Sequence, residues 1–171
     1  MREILFRAKR IDNGEWVEGD LRQDRDLETA YISGWDYYTT EGGLEREPFE
    51  YEIKLETLCQ YTGLKDKNGK RIWENDILRQ KTTDEFKKYN PMQWERYGVV
   101  KFGENDWRSD WAGYCSIGFY IEHLRSISIR PKDYCVGSMQ NGINQRDMLD
   151  KNYPFEVIGN IFDNPELLKE Q

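Results

Sequence analysis

Alanine is almost missing: Ala8, Ala30 and Ala112 are the only three in 171 residues. The best helix former is therefore scarce, while 11 Tyr, 7 Phe and 6 Trp supply residues that favour strands. A single histidine, His123, excludes multi-histidine metal sites and leaves a histidine-based triad resting on one residue. The three cysteines, Cys59, Cys115 and Cys135, are widely spaced and form no Cys-x-x-Cys pair. That set is a poor disulfide framework and a poor zinc site, so it reads as three small hydrophobes in a reducing compartment. No apolar run approaches the roughly 18 residues of a membrane span. Near the start, Arg7 interrupts the apolar residues Ile4, Leu5 and Phe6, so no signal-peptide core is expected there. Basic side chains are outnumbered 25 to 32, giving a net charge of -7, which disfavours a broad nucleic-acid footprint. A soluble cytoplasmic protein, mainly β (α+β at most), is the expectation.

Two Asn-Gly pairs organise the strands. Ile4, Phe6 and Ala8 alternate with Leu5, Arg7 and Lys9, and Asn13-Gly14 separates them from Trp16–Leu21, which predicts an opening β-hairpin over residues 3–21. Residues 22–29 read as a loop, Ala30–Trp35 as a strand, and Thr39–Pro48, with its Gly42-Gly43, as another loop. Phe49–Leu55 alternates apolar and charged residues, the pattern of a strand with one wet face. Asn68-Gly69 marks the second turn, flanked by Ile72, Trp73, Ile77 and Leu78. Residues 80–96 lack periodicity and read as an insertion. Strands are predicted at Gly98–Phe102, Tyr114–Ile121 and Phe155–Ile161, with a loop over 103–112 and a short C-terminal helix opened by Asn164-Pro165. An N-terminal β region, 1–60, and a small-barrel-like region, 61–171, together form one unit in this reading.

Several clusters carry chemistry at the level of residue type. Lys65, Lys67, Lys70 and Arg71 crowd the second Asn-Gly turn and are candidates for contact with an anion or a partner. The plainer account is a solvated turn whose charges discourage edge pairing. Asp66, Asn68 and Asp76 are expected to accept backbone N–H bonds within that turn and before the following strand. Glu104, Asp106 and Asp110 surround Trp107 and Trp111, a composition compatible with acid/base chemistry, although the calcium-loop spacing is absent. The alternative favoured here is that these two rings plug the barrel or an oligomer contact while the acids face water. Trp107, Trp111 and Trp35 are accordingly the candidate oligomer contacts, with Tyr37 and Tyr38 beside them. Arg125, Arg130, Lys132 and Tyr134 interleave basic and aromatic residues, as single-strand binders do, over a short stretch. His123 has no nucleophile and orienting acid evident around it, so it reads as structural.

The string Gln60–Gly69, followed by Ile72, Glu74 and Asp76-Ile77, closely resembles the signature of the YopX family of phage and prophage proteins. The opening residues Arg2–Ile4 and Phe6–Ala8 resemble the start of that family, and Val157–Ile161 with Asn164–Leu168 resemble its end. Trp73 stands where the family usually has Tyr, and Asn75 where it usually has Gly. Asn is the non-glycine residue most tolerant of a left-handed backbone, so the turn at 75 is expected to survive. The resemblance implies a mainly-β, YopX-like fold with a small SH3-like β-barrel part, a tendency to homo-oligomerise, and action in the cytoplasm of a bacterial host. It supplies no catalytic, metal or cofactor residue, and none is expected.

Three functions remain open at this point. The first is a non-enzymatic accessory protein whose partners are itself and a host or phage protein. The second is a nucleic-acid-associated module using a basic edge of the barrel. The third, favoured least, is a hydrolase using the acids of residues 104–110.

Overall fold

The computed structural model describes residues 3–24, 28–84, 92–108, 113–128, 143–144 and 155–169. Antiparallel strands dominate them. The chain divides into two compact units, Met1–Gly63 and Leu64–Gln171, and among the described residues no helix is long and apolar enough to cross a membrane.

In the first unit, β1 (Phe6–Lys9) and β2 (Trp16–Asp24) form the hairpin expected from Asn13-Gly14, paired from Phe6↔Gly19 to Lys9↔Trp16. Gly14 takes φ +74°, a conformation that costs a residue with a Cβ far more. β3 (Thr29–Thr40), β4 (Gly43–Glu52) and the start of β5 (Cys59–Lys65) complete a sheet ordered β4-β3-β2-β1-β5. One face collects Ala8, Ala30, Ile32 and Ile53, with Phe6, Val17, Leu21, Phe49 and Leu58 against them.

The expected loop at Thr39–Pro48 is instead a hairpin. β3 and β4 pair from Tyr31↔Glu52 to Thr40↔Gly43, with Glu41-Gly42 as the turn. The expected loop at 22–29 is likewise shortened, because β2 runs to Asp24 and pairs with Thr29. Both stretches place polar residues on two wet faces, so no burial alternation marks them as strands.

In the second unit the β5 strand turns at residues 66–70 into β6 (Arg71–Trp73). A five-stranded sheet follows, ordered β10-β9-β8-β7-β11, from β7 (Asp76–Asp84), β8 (Met92–Arg108), β9 (Gly113–Ser128), β10 (Ile143–Asn144) and β11 (Phe155–Asn160). Among the described residues β10 and β11 end this sheet without pairing to each other, so no closed barrel is seen. Its core is Ile72, Leu78, Val100, Phe119, Ile121, Phe155 and Val157.

Two sequence expectations are corrected here. Residues 80–84 and 92–96 of the supposed insertion are paired strand, from Gln80↔Arg96 to Asp84↔Met92, while 85–91 lie outside the described residues. The loop expected over 103–112 is strand as far as Arg108, opposite Gly113. A bulge between Tyr97 and Gly98 accommodates Leu124 as the extra residue of β9.

The short C-terminal helix is a single 3-10 turn, Pro165–Leu168, held by the Leu167 N–H donating to Asn164 O at 3.0 Å. Asn164 gives it no side-chain cap, because its Oδ1 accepts from the Asn160 N–H at 3.3 Å instead.

Candidate functional site

The β3–β4 hairpin outruns its sheet. Pairing of β2 with β3 ends at Asp20↔Ser33, whereas β3 and β4 continue together for seven more residue pairs beyond it, from Gly34↔Phe49 to Thr40↔Gly43. This two-stranded ribbon presents two faces, because directly opposed residues share a side.

One face is aromatic. Trp35 opposes Pro48, Tyr37 opposes Arg46, and Thr39 opposes Leu44. Trp35 is 48% exposed, Tyr37 63% and Leu44 73%, unusual for side chains of this size. The Arg46 guanidinium lies 4.4 Å from the Trp35 ring centroid, a cation–π contact. At the base of the ribbon, Asp20, Ser33, Trp35, Pro48 and Glu50 border an open hollow of about 430 Å³. Glu50 is held there by Arg22 through two hydrogen bonds, of 2.9 and 2.8 Å.

The other face is acidic. Asp36 stands directly opposite Glu47, and Tyr38 directly opposite Glu45. Like charges placed across a strand pair repel. Asp36 and Glu47 are exposed, and neither has a cationic partner among the described residues. Glu45 is fixed by the Thr40 hydroxyl at 2.8 Å. Over residues 34–50 five carboxylates face one arginine, so this segment holds a net -4 of the chain's -7.

The second cluster is basic and rigid. Asp66 Oδ1 accepts the Asn68 and Lys70 N–H groups at 2.8 and 2.9 Å, and its Oδ2 accepts the Val157 N–H at 3.1 Å. Burial pushes this carboxyl up, but the N–H donors from Val157, Lys70 and Asn68 outweigh it and hold it below its usual value. Gly69 supplies the positive φ that closes the turn. The Lys67 N–H donates to Phe155 O at 3.0 Å, and its ammonium reaches Glu156 at 2.9 Å. Glu156 also meets Arg79 at 2.8 Å; hydrogen bonds from Arg79 and then Lys67 lower its carboxyl to about 2.

The turn's own acid is thus turned inward. Lys65 and Lys70 stay exposed with no carboxylate partner among the described residues, and Arg71 is half-buried. The expected role of Asp76 also holds: it is 1% exposed and accepts the Trp73 N–H at 2.8 Å. Asn75 adopts φ +64°, donates its N–H to Val100 O and accepts from Lys101 Nζ at 3.2 Å.

Most of the remaining candidates fall outside the described residues or lack described side chains. Trp107 lies in β8 opposite Tyr114. Its side chain lies outside the described set, and Trp111 lies outside the described residues. Glu104 is exposed on β8, Asp106 falls on the same strand, and Asp110 lies outside the described residues. His123 and Arg125 fall in β9, opposite Gly98 and Tyr97, without described side chains. Arg130, Lys132, Tyr134 and Cys135 lie outside the described residues. Cys59 is buried, with its thiol on Thr57 O at 3.3 Å. Among the described residues no three His, Cys, Asp or Glu side chains cluster as a metal site would need.

Sequence reasoning reached Trp35, Tyr37 and Tyr38 but missed Leu44, Arg46 and the Asp36–Glu47 opposition. Treating Glu41-Gly42 as a two-residue hairpin turn would have exposed all three.

No curated protein matches the chain. A solved structure, that of protein EF1440 from Enterococcus faecalis, is 22% identical, with a TM-score of 0.46, covering 99% of this chain and all of that one. The family model described as YopX protein matches residues 5–169, nearly the whole chain, and bears out the resemblance of residues 60–78. This chain belongs to the YopX family.

Proposed function

We propose that this protein is a non-enzymatic phage or prophage accessory protein that acts through protein–protein contacts as a homo-oligomer in the cytoplasm of a bacterial host. The observation that carries this reading is the ribbon of residues 34–49. Its apolar face exposes Trp35, Tyr37 and Leu44 to solvent on a two-stranded element. Isolated ribbons of this kind are marginal in water and gain most from being covered. Aromatic side chains are also the type enriched where subunits meet. Trp107 and Trp111 are proposed as further contacts, and the SH3-like character is proposed for the turn-rich segment of residues 61–78.

Light scattering on the full chain tests the reading. A species heavier than one chain is expected at tens of micromolar, on the order of a concentration well above a nanomolar-to-micromolar Kd. A monomer at that concentration overturns it.

A further inference from the structure

The charged residues of this chain are segregated in a way that self-association explains. The ribbon of residues 34–49 carries a net -3, while residues 65–71 carry four cations, Lys67 among them engaged by Glu156, against the single acid Asp66, a net +3. Asp66 is committed to three backbone N–H groups, so its charge is consumed inside the turn. Asp36 and Glu47 repel one another across the ribbon, and neither has a cation among the described residues. Lys65 and Lys70 flank the turn, and neither has a carboxylate among them.

We infer that the acidic face of the ribbon in one copy docks on the β5–β6 turn of the next, with Asp36 and Glu47 taking Lys65 and Lys70 of the neighbouring copy. This rests on the proposed homo-oligomer and adds to its aromatic contact one on the opposite face of the ribbon. Ribbon on ribbon would set -3 against -3, and turn on turn +3 against +3; only the crossed arrangement is complementary. A second copy is therefore the occupant, and the interface is heterologous, joining two different patches head to tail. The turn is already held to β11 by Asp66 and Lys67, so docking requires little ordering on that side. Tyr38, beside Glu45 on the same face, offers its ring to the lysine stems.

Sedimentation velocity of the full chain and two double variants tests the contact. Asp36→Lys with Glu47→Lys makes the ribbon basic, and Lys65→Glu with Lys70→Glu makes the turn acidic. All four positions are exposed, so each variant is expected to keep the wild-type circular dichroism spectrum. Each alone should assemble at least about tenfold more weakly than wild type, because attraction becomes repulsion at both pairs. An equimolar mixture should regain assembly, since each variant's ribbon then matches the other's turn. Raising salt from about 0.05 M to about 0.5 M should weaken the wild-type assembly and, by the same screening, the mixed one.

The outcomes separate the two ideas. A monomeric wild type overturns the homo-oligomer itself. A wild-type assembly that both variants form equally well leaves the oligomer standing and overturns this contact. If both variants fail alone and the mixture also fails, the pairing of these four residues is wrong. The pairing is equally overturned if one variant alone retains wild-type assembly.

Discussion

The Asp66 carboxylate accepts the Val157 N–H at 3.1 Å, joining the β5–β6 turn to a strand 91 residues later in the chain. With Asn68 and Lys70 donating to its other oxygen, one side chain of 8% exposure satisfies three backbone groups. The turn and β11 are thereby fixed as one body, and the lysines around Asp66 are presented from a rigid base.

Asp66→Ala should therefore be among the most damaging single changes in the chain. It removes the acceptor for three N–H groups, one of them on a buried strand residue. A loss of about 2–4 kcal/mol is expected, since unsatisfied buried donors cost more than a hydrogen bond gains. Asp66→Asn should lose less, because one oxygen still serves Asn68 and Lys70. Urea unfolding of the two variants checks the order, and equal midpoints would contradict it.

Acid should release the same corner. The Glu156 carboxyl sits at about 2 against an ordinary 4.5, and that of Asp66 is also lowered. Carboxyls depressed in the folded state stabilise it fully above their unfolded values and lose that contribution as pH falls through the folded ones. Wild-type stability should accordingly decline between about pH 4.5 and 2. Glu156→Gln removes one of the two groups, so its denaturant midpoint should fall less steeply over that window. Parallel curves for wild type and variant would show that the Arg79 and Lys67 contacts contribute nothing.

Two glycines should respond oppositely to alanine. A Cβ on Gly19 would run into the Ser33 carbonyl oxygen, which is backbone and cannot swing aside. Gly19→Ala should destabilise by about 1–3 kcal/mol, the range for overpacking. Gly118 has open space where its Cβ would be, so Gly118→Ala should match or slightly exceed wild type. Thermal unfolding of the pair checks this; a Gly118→Ala loss as large as that of Gly19→Ala would be inconsistent with the packing.

What is legible in the sequence follows from locality. Asn13-Gly14 and Asn68-Gly69 specify their turns through backbone conformations that few residues tolerate, and both form at the positions the pairs mark. Asp66 and Asp76 are readable as turn acceptors for the same reason. The partner of Asp66 on β11 is not, because nothing within ten residues of either position encodes a contact at that separation. The ribbon is hidden because strands wet on both faces show no period-two burial, and the paired ends of β7 and β8 because residues 80–96 carry no apolar alternation. Thr39 to Pro48 pairs all the same, and the opposition of Asp36 to Glu47 exists only once that register is known.

The aromatic face of the ribbon yields the last prediction. Trp35 and Tyr37 follow one another along β3 on the side opposite Asp36, and Arg46 already stacks on the Trp35 ring. Changing both to Ser removes two large rings that the isolated chain leaves about half exposed or more. Because exposed side chains contribute little to folding, thermal unfolding at a concentration where wild type is monomeric should show a change of no more than about 0.5 kcal/mol in stability. If these rings meet another subunit, the same change should weaken assembly strongly, since a buried Trp or Tyr at the centre of an interface is worth about 2 kcal/mol or more. Light scattering across a dilution series should then show the variant dissociating at a concentration about thirtyfold higher than wild type, or more. Equal dissociation midpoints would place the contact elsewhere, on a surface such as the acidic face of the ribbon, and a large drop in folding stability would mean that the rings support the ribbon itself.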